Sequence, residues 1–340
     1  MTSLRPIEII GGGLAGLSLG LALRRAGVDV TISEAGDYPR HRVCGEFIAG
    51  LPAPTRDRLQ LDPFLADASL NRDVAWFTRS SLSRIQKLPS PAFGLSRHTL
   101  DHRLADAFVS AGGQLHPRTR ASSLADAPGR IFATGRRRAA TQWIGLKIHA
   151  RDLPLTRDLE VHLGDHAYVG IARIENTRVN ICGLFRRRPL RATGAALLLA
   201  YLDAAQLSSV AERIAQAPLD SDSFCAVAAV DFDRSVSHTT DVRLGDACAM
   251  IAPFTGHGMA MAFQSAELSL DPLLAYARGT ASWPETRREI HFVLQRRFRL
   301  RLASARALHP FLLRPAHQRC LAFLNRSRLL PLRPLYAALH

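Results

Sequence analysis

Two glycine groups, far apart in the chain, have the spacing that phosphate and ring chemistry requires. The first is Gly11-Gly12-Gly13-Leu14-Ala15-Gly16, directly behind the apolar run Ile7 to Ile10. In Gly11-x-Gly13-x-x-Gly16 one glycine permits a tight strand-to-helix turn, one keeps a side chain off a pyrophosphate, and one lets helix and strand pack closely. Phosphate then rests on the helix N-terminus. Glu34 follows at the distance, about 20 residues, where a carboxylate accepts hydrogen bonds from ribose hydroxyls. The second group is Gly245-Asp246 with Pro253-Phe254-Thr255-Gly256-His257-Gly258 behind it. An aspartate closing a strand can hold a ribityl or ribose hydroxyl, and Gly256-x-Gly258 opens a helix whose first N–H groups are free. Aimed at a flavin ring, that helix end stabilises negative charge on the reduced cofactor. A nicotinamide site needs no such second element.

Between the two groups stands Arg42-Val43-Cys44-Gly45-Glu46. Cys44 is either a small buried hydrophobe or, because nearby cations favour a thiolate, a substrate-positioning group or proton donor. Glu46 either orients its loop or relays a proton. His257, flanked by two glycines, either meets the ring or substrate or is an exposed cap. Lys147 and His149 share one face of a strand and Leu146 and Ile148 the other. That polar face either lines a cavity or is solvated.

The elements that must position these residues follow from periodicity. Strand Ile7 to Ile10, an apolar helix stopped by Gly27, and strand Val28 to Ser33 make the first unit. A strand Arg72 to Thr78, a helix Thr99 to Ala111, and strands Gln114 to Thr119 and Arg130 to Arg136 come next. From Trp143 to Leu184 short alternating runs read as antiparallel strands, then Ala192 to Ala217 as helix and Phe224 to Val230 as strand. The parallel pattern returns at Asp241 to Asp246 and runs into a helix Met259 to Leu274. The expected fold is α/β: a Rossmann-like FAD-binding domain from residues 1–60, 95–142 and 236–277, and an inserted, mainly antiparallel substrate domain from 61–94 and 143–235. Residues 278–340 form a basic helical C-terminal segment.

From Ile7 to about Leu274 the chain resembles the FAD-dependent oxidoreductases of the p-hydroxybenzoate hydroxylase-like superfamily, closest to its geranylgeranyl reductase-related branch. The resemblance implies that Gly11, Gly13 and Gly16 hold the pyrophosphate, Glu34 the ribose, and Gly245 and Asp246 the flavin chain. It further implies that Pro253, Gly256 and Gly258 line the ring, that Arg97 and Arg42 contact the cofactor, and that Cys44 lies near the flavin. Gly135 stands where monooxygenases of the superfamily carry Asp-Gly, but here the string is Thr134-Gly135-Arg136. The Trp-x-Trp-x-Ile-Pro string of the flavin-dependent halogenases is absent, and no second Gly-x-Gly-x-x-Gly occurs. NAD(P)H is therefore expected as a transient reductant, or an electron-carrier partner replaces it. The expected activity is reduction of a carbon–carbon double bond in a hydrophobic small molecule, with Cys44, Glu46 and His257 as catalytic candidates. The alternative is a class A flavin monooxygenase hydroxylating an aromatic or polyketide-like substrate.

Composition bounds the rest. The 47% hydrophobic fraction suits a folded protein, and no uninterrupted apolar run of about 18 residues suggests a membrane span. Cys44, Cys182, Cys225, Cys248 and Cys320 are scattered, without a Cys-x-x-Cys pair, so neither a zinc or other metal site nor a disulfide framework is expected. A reducing, cytoplasmic compartment is the simplest fit. The net charge of +15 is concentrated at one end: from Glu285 to His340 there are twelve arginines and two acids. Ile290, Leu294, Phe298, Leu302 and Ala305 follow helical spacing, with Arg288, Arg296, Arg299 and Arg306 projecting elsewhere. Such a helix either packs on its own protein with a solvated arginine face or touches an anionic membrane as a peripheral contact. A main function as a basic membrane- or nucleic-acid-binding protein is disfavoured, and no nucleic-acid partner is expected.

Overall fold

The computed structural model describes residues 4–121, 125–136, 141–228, 240–314, 316–318 and 327. Val230, residues 236–239, Cys320 and the expected helical tail from 319 onward, apart from residue 327, lie outside them.

The chain runs β1 (Ile7–Ile10), α1 (Leu14–Arg25), β2 (Val30–Ser33), β3 (Phe47–Ile48), α2 (Ala53–Leu59), α3 (Asp62–Leu65), β4 (Ser69–Thr78) and β5 (Ser81–Gly94). It continues through α4 (Arg97–Ser110), β6 (Gln114–His116), β7 (Arg130–Phe132), β8 (Trp143–Ala150), β9 (Leu159–Gly164), β10 (Ala167–Arg173) and β11 (Val179–Arg186). The last elements are α5 (Gly194–Ala204), α6 (Ser208–Ala215), β12 (Leu219–Ala228), β13 (Val242–Arg243), α7 (Gly258–Ala277) and α8 (Trp283–Leu313). Short 3-10 turns, Gly245–Ala247 and Pro253–Thr255, precede α7.

Strands β13-β7-β1-β2-β6 form a parallel five-stranded sheet. Helix α1 packs between this sheet, α4 and α7, which is why Leu17, Leu19, Leu21 and Leu23 are all buried although they do not share one face. The second sheet, β12-β8-β11-β10-β9-β4-β5-β3, is antiparallel except where β4 meets β9. Alternation along β8 decides what it does: Leu146, Ile148 and Ala150 enter a core with α5 and α6. Lys147 and His149 turn to the opposite face, toward Glu46 of the first domain.

Three local departures from the periodicity have physical causes. The stretch expected as one helix from Ala192 to Ala217 is two, α5 and α6, because the chain turns at Gln206 (φ 61°) to bury Leu207. Strand β5 escapes the pattern because Pro89 and Pro91 interrupt it. They sit where the register between β4 and β5 shifts, so neither missing N–H breaks a ladder bond. Leu61 and Leu65 pack into the core of the parallel-sheet domain, so residues 61–65, expected in the substrate domain, pack with the other domain, and β3 ahead of them already pairs with β5 of the second sheet.

Candidate active site

The three glycines of the first group have three different surroundings. Gly11 has φ +113°, and a methyl group there would lie 2.3 Å from the Ala133 carbonyl oxygen. One on Gly16 would lie 2.0 Å from the Gly11 carbonyl oxygen, where α1 presses on the turn. One on Gly13 would have only the Arg97 guanidinium near it, at 3.9 Å. Gly11 and Gly16 are thus required by packing, while Gly13 faces open space.

Glu34 is buried at the end of β2 and its oxygens accept from the Gly12 and Gly36 N–H groups, both at 2.8 Å, and from Arg40 at 2.6 Å. Burial alone would raise its pKa, but the cations Arg42 and Arg40 and these two N–H bonds outweigh it and hold the carboxyl below its ordinary value. An ionised carboxylate has about four acceptor positions, so capacity for a hydroxyl remains. Arg97, first residue of α4, makes a two-pronged pair with Asp101, Nε to Oδ1 at 2.7 Å and Nη2 to Oδ2 at 2.8 Å. Arg42 adds Nε to Oδ2 at 3.0 Å. Burial would discharge Arg97, but Asp101 outweighs it and raises the guanidinium above its usual range. Asp101 is fully buried and was not anticipated; its signal was the four-residue interval from Arg97 on one helix face.

The second glycine group meets the first at this point. A methyl group on Gly245 (φ +57°) would lie 3.3 Å from the Ala15 methyl of α1, and the Gly245 N–H donates to the Ser265 hydroxyl of α7 at 2.9 Å. Asp246 reaches the surface, yet the protein packed around it is the largest influence on its carboxyl and pushes it up by desolvation; Arg136 and Arg97 oppose that shift without reversing it. Arg136, next to Gly135, is a second residue the sequence did not single out. Gly45, Gly135 and Gly258 each have nothing within 4 Å of where a methyl would stand. Arg97 stands beside Gly13 and near enough to Asp246 and Cys44 for its charge to act on both, so parts of both glycine groups converge on this guanidinium. Gly256 (φ +69°) is instead a packing glycine, where a methyl group would lie 2.9 Å from the Phe47 ring, and Pro253 is exposed at the start of its turn.

His257 corrects one expectation: it is not an exposed cap but 2% exposed, with Nδ1 2.6 Å from the Thr255 carbonyl oxygen. No side chain caps α7, so its first N–H groups stay available. Cys44 lacks the thiolate character that neighbouring cations alone would favour. Burial is the largest influence on its thiol, Glu46 adds to it, and Arg97 opposes it; the net shift is upward, so the group keeps its proton rather than becoming a thiolate.

Glu46 is fully buried at φ 52°, and four groups converge on it. The Arg97 N–H donates to Oε1 at 3.0 Å, Lys147 Nζ is 3.3 Å from Oε1, and His149 Nε2 is 2.5 Å from Oε2. Its own N–H donates to the Cys44 thiol at 3.4 Å. Burial would raise its pKa, but the His149 hydrogen bond and Lys147 hold it below the usual value. His41 Nδ1 lies 3.2 Å from Lys147 Nζ and its ring stacks on His98 at 4.4 Å. Burial and Lys147 push His41 down to about 4. Of the alternatives for Lys147 and His149, the solvated face fails: both are fully buried. The Asn180 amide donates to the Cys44 and Gly45 carbonyls at 3.0 and 2.7 Å, fastening the cleft edge to β11.

At the other end of the same sheet face the side chains are aromatic. Tyr168 of β10 meets the Phe254 ring edge-on at 6.3 Å and His309 of α8 at 6.2 Å, and Trp143 of β8 is 6.3 Å from His309. One face of the sheet thus passes from ionisable to aromatic across the cleft. Among the described residues no group of His, Cys, Asp and Glu could hold a metal ion.

Residues 9–44 match the family described as an NAD(P)-binding Rossmann-like domain. No curated protein matches the sequence. The whole architecture is similar to p-nitrophenol 4-monooxygenase PnpA of Pseudomonas putida, with a TM-score of 0.77 at 14% identity over 100% of this chain and 97% of that one. Klebsiella pneumoniae HpxO, solved with FAD and uric acid, gives 0.75 at 16% identity over 98% and 96%. Pseudomonas aeruginosa PqsL, solved with 2-aminobenzoylacetate, gives 0.69 at 14% identity over 98% of each chain. The chain has the fold of the FAD-dependent monooxygenases, an α/β fold with a Rossmann-like domain and a helical C-terminal region.

Proposed function

We propose that this protein is an FAD-dependent monooxygenase acting on a hydrophobic, aromatic or polyketide-like small molecule. The observation that carries the reading is the convergence on Arg97 of Gly13 from the first glycine group and Asp246 from the second, with Gly45, Gly135 and Gly258 each open where a side chain would stand. A nicotinamide alone would use the first group only. These residues fit FAD: side-chain-free positions where the cofactor must pass, a cation beside the phosphate turn, an acid for the ribityl chain, and an uncapped helix end for the ring. The fold neighbours are flavin enzymes of this kind, which favours hydroxylation over the double-bond reduction expected first.

FAD, when bound, supplies the redox chemistry. The protein's residues do the rest. Arg97 and Arg42, fixed by Asp101, would hold the cofactor's phosphates, and Asn180 and Glu46 fix the Cys44–Gly45 loop that would border it. Trp143, Tyr168, Phe254 and His309 supply the apolar wall on which a planar substrate stacks. Lacking a second nucleotide motif, the chain takes electrons from NAD(P)H in passing or from a carrier protein. The free thiols at Cys44, Cys182, Cys225 and Cys248 suit a reducing, cytoplasmic compartment.

One observation favours reduction as a second reading: a protonated Cys44 thiol at the cleft edge is the proton donor that saturating a double bond requires. Turnover with and without O₂ separates the two. Strict O₂ dependence with one oxygen atom entering the product supports the monooxygenase, and product formed anaerobically with reductant overturns it.

A further inference from the structure

Helix α8 has two faces that do different things. Its inner stripe, Ile290, Leu294, Phe298, Leu302 and Ala305, is at most 3% exposed and packs against α7 and the core. The helix is therefore already satisfied by its own protein. The outer face carries Phe292 at 58%, Leu300 at 67% and Phe311 at 40% exposure, three of the seven large exposed apolar side chains among the described residues. Arg288, Arg296 and Arg299 stand exposed on the same side, with Ala303 and Ala307 farther along and the acids Glu285 and Glu289 only in its first two turns. Glu289 is the last acid in the entire sequence, and ten arginines follow it. Beyond Glu289 the outer face therefore carries one sign of charge with large apolar groups, whereas a face that merely meets water ordinarily mixes both signs and few such groups.

We infer that the outer face of α8 is a peripheral docking surface for an anionic lipid bilayer. The interleaving selects the partner. A nucleic acid would neutralise the arginines but leave Phe292, Leu300 and Phe311 in water, whereas the headgroup region of an anionic bilayer takes the cations and the shallow acyl zone takes the rings. Contact is by lying on the surface, since no helix among the described residues is long and apolar enough to cross a membrane. The position of the helix adds a reason. His309 near its C-terminal end belongs to the aromatic wall of the cleft, and Leu312 and Leu313 pack into the same apolar cluster as Tyr168. A bilayer under α8 brings a hydrophobic substrate to the side of the molecule where that wall is built. The docking itself does not depend on which reaction the cleft performs.

The test is cosedimentation of the full chain with vesicles of phosphatidylcholine alone and of phosphatidylcholine mixed with phosphatidylglycerol, with duplex DNA as a competing probe. The expected result is binding to the mixed vesicles only, released by added salt. A double variant F292S/L300S should weaken that binding at least about tenfold while leaving DNA affinity unchanged. The pair R296Q/R299Q should weaken binding and flatten its salt dependence. All four positions are exposed, so thermal melts of both variants should match the parent. No binding to the mixed vesicles, equal binding to both vesicle types, or binding indifferent to F292S/L300S overturns the inference. DNA binding stronger than lipid binding also overturns it, in favour of a nucleic-acid partner.

Discussion

Gly13 and Gly16 share a motif but answer to different forces, and substitution separates them. Gly13→Val would point a side chain into open space beside Arg97, so the unliganded fold should melt unchanged while FAD retention, read from flavin absorbance, falls by about 100-fold or more. Gly16→Ala drives a methyl onto the Gly11 carbonyl and should instead destabilise the fold, by about 1–3 kcal/mol. Glu46→Gln removes the charge that compensates the buried Lys147 and should cost about 3–5 kcal/mol at neutral pH, measured by denaturant unfolding. The pH dependence has a definite sign. Glu46 has a folded pKa below its unfolded value of about 4.3, so its contribution is complete above that value and is lost as pH falls through the folded pKa. The margin between parent and E46Q should therefore shrink in acid. His41 acts in a different window. With its pKa pushed down to about 4, the folded state binds fewer protons than the unfolded state from about pH 6.5 down to about 4, and stability falls across that interval. His41→Asn should flatten the decline.

At the scale of elements, α8 shows most plainly how one helix carries two assignments. Phe298 is 1% exposed and Leu300, two residues on, is 67% exposed. Phe298→Ala should cost about 3–5 kcal/mol in unfolding free energy, and Leu300→Ala within about 0.5 kcal/mol of nothing. The start of α4 is the second element with a clear dependence. The Ser96 hydroxyl accepts the Thr99 N–H as an N-cap and itself donates to Glu175, whose carboxylate also accepts the Ser96 N–H at 2.8 Å. Since α4 begins with Arg97, a loosened cap misplaces the guanidinium beside Gly13. Glu175→Ala should lower both melting temperature and FAD affinity, whereas Gly13→Val lowers the second alone. The strongly periodic elements β1, α1, β10 and β11 were legible because burial of one pattern dominates each. Strand β5 was not, because its prolines are tolerated only by a register shift against a partner far along the chain.

For the whole molecule, the parallel-sheet domain and the antiparallel sheet are joined by a few buried ionic contacts between Glu46 and β8 and by Asn180, beside the region where we place FAD. A ligand that fills it binds only the folded state, and melting should rise with FAD concentration, by about 2.7 kcal/mol at 100 times the dissociation constant, with NAD(P)H giving less. Thermal melts in each nucleotide check this, and an equal response to both would count against a flavin site. The sequence by itself determined the strand–turn–helix around Gly11 to Gly16, the acid at the end of β2, the return of the parallel pattern at β13 and the inner face of α8, because each rests on local spacing of residues within one or two elements. Tertiary structure alone decided what lies between elements. It tied Asp101 to two arginines, buried Lys147 and His149 against Glu46, kept the proton on Cys44, turned His257 inward, and set an aromatic wall opposite the ionisable end of the cleft. The reason is physical: charge state and burial are fixed by neighbours that strand pairing and helix packing bring from 59 to 141 residues away, and no spacing along the chain records them.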